Sequence, residues 1–459
     1  MARVLGRVQP VCKVEGANEC FRQNFPPLQE EKRVTGEAPS LIEADVVVVG
    51  GGPAGASTAF HLATLGFDVA VLERNSFPRD KVCGDGLTPA AVSELSLMGM
   101  DTEGWARNRG LRVKGGGNEV YFEWPEQVSL PSYGMARERA VLDEELINHA
   151  VAAGARLYTD VRVTEAIRNN QGRVTGVVGT VGRGRDKRQV EAHAPLVVDA
   201  GGVSARLATS VGIEKKRNRP MGVAARTYFR SPRSDDEWME SHLELWDGEP
   251  GNSALLPGYG WIFPLGNGLV NVGLGSVSSD ATSSALPYRE VFRRWVSHLP
   301  EEWGFEEENQ VGPLRSAALP MSFNRKPHYT NGIALVGDAG GMVSPFNGEG
   351  IAPALKSGRF LANAAASAFG RSTQSGFDLA LSAYPEQLKE VYGGYYSLGR
   401  VFVALIENPK IMRFLTYHGL PRRRLMKLVN KLLSDGYERS GGDVDDRLIS
   451  ALTKMVTKV

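Results

Sequence analysis

The segment Gly50-Gly51-Gly52-Pro53-Ala54-Gly55 lies between a β-branched run, Val46–Val49, and an Ala-rich amphipathic stretch, Ala56–Leu65. Strand, tight turn and helix in that order let a backbone approach a pyrophosphate. Gly50 makes the turn, Gly52 removes the side chain where a phosphate must come close, and Gly55 lets helix and strand pack. Pro53 and Ala54 open the helix, where a proline needs no N–H, and the free donors and positive end of the helix face the anion. A second apolar run, Val69–Leu72, ends in Glu73-Arg74, and a carboxylate at that point can accept both hydroxyls of a ribose. These residues specify a dinucleotide whose ribose lacks a 2′-phosphate, and leave FAD and NAD open.

Three further segments carry their own chemistry. Arg79-Asp80-Lys81-Val82-Cys83-Gly84-Asp85-Gly86-Leu87-Thr88-Pro89 is rich in charge and turn formers and reads as a loop. Its Cys83 is a thiol that can donate a proton, or else a small buried hydrophobe. In Gly258-Tyr259-Gly260-Trp261-Ile262-Phe263-Pro264, alternation puts Tyr259, Trp261 and Phe263 on one face of a strand, with Leu269–Gly273 as its hairpin partner. Downstream, the apolar strand Ile333–Val336 runs into Gly337-Asp338, followed by Pro345-Phe346-Asn347-Gly348-Glu349-Gly350-Ile351. Taken alone, Asp338 could be a helix cap and the last turn a plain helix entry.

Together the motifs resemble flavoproteins of the para-hydroxybenzoate hydroxylase superfamily. The resemblance implies FAD, with Asp338 on the ribityl chain. It turns Gly348, Gly350, Ile351 and the following helix N-terminus toward the flavin pyrimidine, where the reduced ring carries negative charge. Arg139-Ala140-Val141-Leu142-Asp143 is similar to the superfamily's Arg-x-x-Leu-Asp helix start, whose Arg meets the cofactor. Asp199-Ala200-Gly201, after the strand Leu196–Val198, is similar to the third fingerprint, with the acid one residue early. Arg74, Cys83, Gly84, Asp85, Gly86 and Val163 complete the expected cofactor set. The Cys-Gly loop, the aromatic strand and Ser241-His242-Leu243-Glu244-Leu245 resemble the geranylgeranyl reductase family, most of all its menaquinone-reducing branch, from about Ala44 into the C-terminal helices.

That resemblance implies a reductase that saturates one isoprenyl double bond of a polyprenyl lipid such as menaquinone, by hydride transfer from reduced flavin and a proton. An isolated alkene is a poor hydride acceptor, so positive character develops at its more substituted carbon. The faces of Tyr259 and Trp261 could stabilise it by roughly 0.5 to 2 kcal/mol each. Cys83, Tyr259 and Trp261 are therefore the expected catalytic residues, and Tyr259, Trp261, Phe263 and His242 the expected substrate wall. NAD(P)H or a small redox carrier would supply electrons. Two other readings compete. A geranylgeranyl diphosphate or other prenyl-lipid reductase could use Arg226, Arg230 and Arg233 for charge. A monooxygenase or halogenase would share the fold, although the strand lacks the first Trp of the halogenase motif.

Positioning these groups requires an α/β fold: a Rossmann-like FAD-binding domain of the glutathione reductase type, an inserted antiparallel-sheet substrate domain and a C-terminal helical region. The expected boundaries are 44–110, 134–218 and 327–375 for the discontinuous FAD-binding domain and 111–133 and 219–326 for the substrate domain. Residues 376–459 form the helical region, with breakers at Pro385, Pro409 and Pro421, and 1–43 a flexible leader. With 53 Lys and Arg against 52 Asp and Glu, no overall field draws the chain to nucleic acid. Three cysteines are too few for a disulfide framework and suit a reducing compartment. No metal site is read. No apolar run is long enough to span a bilayer, yet Leu398–Ile406 and Leu425–Leu433 carry apolar stripes beside Arg400, Arg422, Arg423, Arg424, Lys427 and Lys431. Such basic amphipathic helices suit the cytoplasmic face of an anionic membrane, where a long prenyl lipid would be met.

Overall fold

A computed structural model of the chain describes residues 38–182, 184–256, 258–278, 287–439 and 441–457. Most of the expected leader, residues 1–37, lies outside them. Its last residues do not: Leu41–Glu43 is a strand paired in parallel with Arg188–His193, so ordered structure starts ahead of Ala44.

The all-valine run Val46–Val49 and the run Val69–Leu72 are almost wholly buried, as central strands covered on both faces must be. They lie in a six-stranded sheet of order Tyr329–Thr330, Ile333–Leu335, Leu196–Asp199, Val46–Val49, Val69–Leu72, Arg156–Tyr158. It is parallel except at its Tyr329–Thr330 edge. The helices Pro53–Thr64 and Ile351–Phe369 pack on one face of it at close range. A Cβ at Gly358 would press on the Thr58 amide, and the Ser57 hydroxyl donates to the Leu355 carbonyl at 2.7 Å. Gly50 adopts φ +109°, and a Cβ at Gly55 would collide with its carbonyl, so the turn needs both glycines.

A seven-stranded sheet stands beside the first, in the order Gln310–Pro320, Met221–Arg230, Leu269–Ser278, Tyr259–Pro264, Trp238–His242, Gly110–Gly115, Asn118–Glu123. All its pairings are antiparallel except that between Trp238–His242 and Gly110–Gly115. Opposite Trp261 lies Gly273, whose missing side chain makes room for the indole.

The C-terminal region consists, among the described residues, of the helices Gln374–Leu381, Ala383–Ile406, Pro409–Phe414, Arg423–Leu433 and Val444–Thr457 and the π-helical turn Leu415–Gly419. Pro385 does not break it. It falls in the first turn of Ala383–Ile406, where the missing N–H costs nothing, and Pro409 likewise opens a helix. Tyr384, Tyr395 and Tyr396 are buried, and their hydroxyls donate to the carbonyls of Leu335, Leu432 and Met342 at 2.6 to 2.7 Å. Each combines a large buried ring with a satisfied polar tip, and together they fasten this region to the main sheet and to its own neighbouring helix.

Candidate functional site

The two helices that pack at Gly358 begin at the same place. Pro53 and Ala54 at the start of one, Gly350 and Ile351 at the start of the other, line a single cavity of about 660 Å³. Gly50, Gly52, Glu73, Arg74, Val163, Asp199 and Asp338 form the rest of its nucleotide-sized end. Glu73 is buried, and its carboxylate accepts the Gly51 amide at 2.9 Å and the Asn75 amide at 3.0 Å, which fixes it at the end of its strand. Arg79 lies over Gly52, 2.9 Å from the Asp143 carboxylate and 3.5 Å from that of Glu73, and its Nε is buried without a partner. Arg139 is buried in a two-pronged ion pair with Asp143 at 2.7 and 2.9 Å. Glycines cleared of side chains, two free helix N-termini, a fixed carboxylate and an under-satisfied guanidinium are what a dinucleotide pyrophosphate and its ribose require. The residues present thus fit FAD.

Asp199 lines this end, yet both its oxygens are occupied. They accept the amides of Gly201 and Ala208 at 2.8 Å each, and burial pushes its carboxyl up from the usual range. Moving the acid one residue early has turned it into the clamp of its own turn. Gly55 does not reach the cavity; it serves the contact between helix and strand.

Beyond the nucleotide end, the Cys83 loop crosses beneath the seven-stranded sheet. Arg226, buried on that sheet, holds the loop by bonds to the Asp80 carboxylate and to the carbonyls of Lys81 at 2.9 Å and Cys83 at 3.3 Å. Asn271 adds bonds of 2.8 Å to the Cys83 carbonyl and to Asp85, and accepts the Trp261 indole N–H at 2.9 Å. Asp85 was expected to touch cofactor. Instead its side chain is sealed inside this network, accepting from Tyr228, Asn271 and the Arg139 amide, and burial pushes it up to about 6. Its φ of +64° lets the loop reverse there, leaving Cys83, Gly84 and Gly86 on the cavity wall. Burial also raises the Cys83 thiol, which is therefore S–H at neutral pH.

Tyr259, Trp261 and Phe263 face the cavity in a row, with ring centroids 6.1 and 6.2 Å apart. The Tyr259 hydroxyl donates to the Asn347 carbonyl at 2.7 Å, and burial pushes it up to about 12. His242 is not part of this wall. Pleating sends Met239, Ser241 and Leu243 into the cavity and turns Glu240 and His242 to the other face. There His242 bonds Glu240 at 2.6 Å and lies edge-on to Trp295. The arginines weighed for a diphosphate are also unsuited to it, since Arg226 is occupied by the loop and Arg233 by Asp236 and Glu240. Arg230 is on the surface.

The cavity continues where no local motif pointed. Leu111, Val113 and Phe122 form one side of an apolar extension, and Phe402, Met412, Leu425, Met426 and Val429 of the C-terminal helices form the other. Only their amphipathic spacing hinted at this, and it reads equally as a packing face or a surface helix. Asn347 closes the join by donating to the Leu433 carbonyl at 2.6 Å.

Residues 43–378 match the family model of the FAD binding domain. The menaquinone reductase of Mycobacterium tuberculosis is 38% identical over 391 residues, 84% of this chain and 89% of that protein. That of Mycolicibacterium smegmatis is 38% identical over 379 residues, 81% and 86% of the two chains. A geranylgeranyl bacteriochlorophyll reductase-like protein of Thermoplasma acidophilum shares the fold with a TM-score of 0.69 at 22% identity, over 91% of this chain and 98% of its own.

Two outcomes follow from this geometry. Glu73→Gln removes the charge from a buried acceptor of two amides at the nucleotide end of the cavity, and should weaken FAD binding by roughly tenfold, about 1.4 kcal/mol, read by titrating apoprotein with FAD. Arg226→Met removes three of the loop's bonds and leaves the Lys81 carbonyl without its donor, while Arg315 still faces Asp80 and Asn271 still holds the Cys83 carbonyl, and should destabilise the protein by about 1 to 3 kcal/mol in chemical denaturation. A change within about 0.5 kcal/mol would show that the loop is held some other way.

Proposed function

Because the chain belongs to the FAD-binding family that includes the menaquinone reductases, and is an FAD-dependent oxidoreductase, we propose that it saturates a double bond in the isoprenyl chain of a prenyl lipid, menaquinone first among them. The observation that carries this reading is the continuity of the cavity. One end suits a dinucleotide, the middle is walled by three aromatic rings and a thiol, and the far end is lined by apolar side chains of the sheet and of the C-terminal helices. A polar aromatic substrate of a monooxygenase would leave that extension unused.

Bound FAD, once reduced, supplies the hydride. The protein's residues do the remainder. Gly50, Gly52, Pro53 and Ala54 take the pyrophosphate, with Gly55 setting the packing behind them. Glu73 takes the adenosine ribose, Asp338 the ribityl chain, and Gly348, Gly350 and Ile351 the pyrimidine end. Arg74, Arg139 and Val163 pack around the cofactor, and Gly84 and Gly86, on the cavity wall, let the loop come close to Trp261, Phe263 and Met239. Tyr259, Trp261 and Phe263 exclude water and hold the prenyl chain, and the faces of the first two stabilise positive character on the alkene. Tyr259 is a poor acid, its O–H being engaged and raised to about 12, so Cys83 is the protonated group of this wall best placed to serve the reacting carbons.

Electrons come from an anionic donor such as NAD(P)H or a small acidic carrier. Support comes from Lys326, whose ammonium is pushed down by burial and by Lys216, Arg219, Lys389 and Arg400 around it. Among the described residues none of these five forms an ion pair, and the Arg219 Nε is buried without a partner, so the cluster calls for an anion.

We further propose that the lipid enters from a bilayer. No described helix is long and apolar enough to cross a membrane. Flanking the cavity-lining residues Leu415 and Thr416 in the chain, Phe414 and Tyr417 are 59% and 61% exposed; Leu425, which also lines the cavity, is exposed, as are Arg413, Arg422, Arg423 and Arg424. Exposed apolar side chains with arginines next to them in the chain suit anionic headgroups.

Reduced protein mixed anaerobically with menaquinone should be reoxidised and yield a quinone heavier by two hydrogen atoms. Failure of every prenyl lipid to reoxidise it would refute the reading. In the same assay Tyr259→Phe should stay within about tenfold of the native rate, whereas Trp261→Ala, which loses both wall and charge stabilisation, should fall by about a hundredfold or more. The protein should also sediment with anionic liposomes, and a Phe414→Ser, Tyr417→Ser, Leu425→Ser variant should bind at least about tenfold more weakly; unchanged binding would place the membrane face elsewhere.

A further inference from the structure

The turn that leads into the helix Ile351–Phe369 carries a carboxylate that the roles above leave unused. Glu349 stands between Gly348 and Gly350 on the cavity wall, and its Oε1 accepts the Thr88 hydroxyl at 2.6 Å. Thr88 ends the Cys83 loop, so this bond joins the two loops that frame the cavity. Among the described residues Glu349 forms no ion pair. The charged and titratable groups around it are Lys356 on the following helix, Asp435 after Arg423–Leu433, and Tyr392, Tyr395 and Tyr396 on Ala383–Ile406. Burial, with Asp435 adding to it, pushes the Glu349 carboxyl up to about 7, against the Thr88 bond and Lys356, which favour the charged form. A glutamine would accept the Thr88 hydroxyl equally well, so the latch alone does not explain an ionisable group at this point.

Resting on the FAD reading above, we propose that Glu349 is the proton store of the site, binding a proton when the flavin is reduced and surrendering it when the flavin is reoxidised. Reduction places negative charge at the pyrimidine end, beside this turn. In a water-poor cavity that charge favours the neutral carboxyl, and its removal favours the carboxylate. The exchange balances. Hydride passes from reduced flavin to one alkene carbon and the Cys83 proton to the other, and the stored proton restores the thiol, leaving oxidised flavin, the Glu349 carboxylate and a saturated bond. The next two-electron reduction, by the donor named above, draws a proton from solvent back to Glu349.

The test is the midpoint potential of the flavin in the intact protein as a function of pH, which needs no prenyl lipid and so stands or falls separately from the substrate assignment. A two-electron couple that takes up one proton shifts by about 30 mV per pH unit, and one that takes up two shifts by about 60 mV. Native protein should show the steeper slope around neutrality, and Glu349→Gln the shallower one. Thr88→Val removes a bond that favours the carboxylate and should carry the steep region to higher pH. It is the informative variant if Glu349→Gln loses flavin. Equal slopes in native protein and Glu349→Gln, or a steep region that Thr88→Val leaves in place, would overturn the proposal.

Discussion

The whole site depends on how closely two helices can lie. Pro53–Thr64 and Ile351–Phe369 come from opposite ends of the cofactor-binding half of the chain, and both must point their N-termini into one cavity. They do so because Gly358 carries no side chain against Thr58, because Ser57 hydrogen-bonds the Leu355 carbonyl, and because Gly55 lets the first helix sit on the Gly50 turn. Interiors pack too densely to absorb an extra methyl group at such a contact without moving backbone. Were the helices pushed apart, the two positive ends would no longer face one cofactor.

A second constraint sets the distance between the nucleotide end of the cavity and its aromatic wall. The Cys83 loop has little apolar surface of its own and is held by polar bonds from Arg226, Asn271 and Tyr228, all on the adjoining sheet. Such a network is worth most when every member is satisfied. Asn271 shows the economy of the arrangement: it ties down the loop with its amide nitrogen and orients Trp261 with its oxygen. Loop and aromatic wall are therefore tied together through one side chain.

Much of this was legible in the residues. The glycines, the valine run, Glu73 and the Tyr259-Trp261-Phe263 alternation each state a local backbone demand, and local demands survive translation into structure. What failed depended on longer-range facts. Alternation places His242 on the opposite face from Ser241, but which face meets the cavity is decided by the neighbouring strands. The family resemblance puts Asp85 and Asp199 at the cofactor; the partners of their side chains here are amides and side chains that only folding brings near. Pro385 looked like a break because its place in a first turn is invisible without the helix start. The apolar end of the cavity was hidden most completely. Phe402 and Leu425 are ordinary members of amphipathic stripes, and Met412 belongs to neither stripe, until the tyrosines of Ala383–Ile406 fasten this region to the sheet.

The central claim is that cofactor and prenyl chain share one continuous cavity, with the chain running from the Trp261 wall out between the sheet and the C-terminal helices. Solving the structure of the protein with FAD and a prenyl lipid bound tests it directly. The account predicts isoprene units in contact with Trp261 and Phe263 at one end and with Phe402, Met412 and Leu425 at the other. A lipid seated on any other surface, or a cavity that FAD alone fills to its C-terminal end, would contradict it.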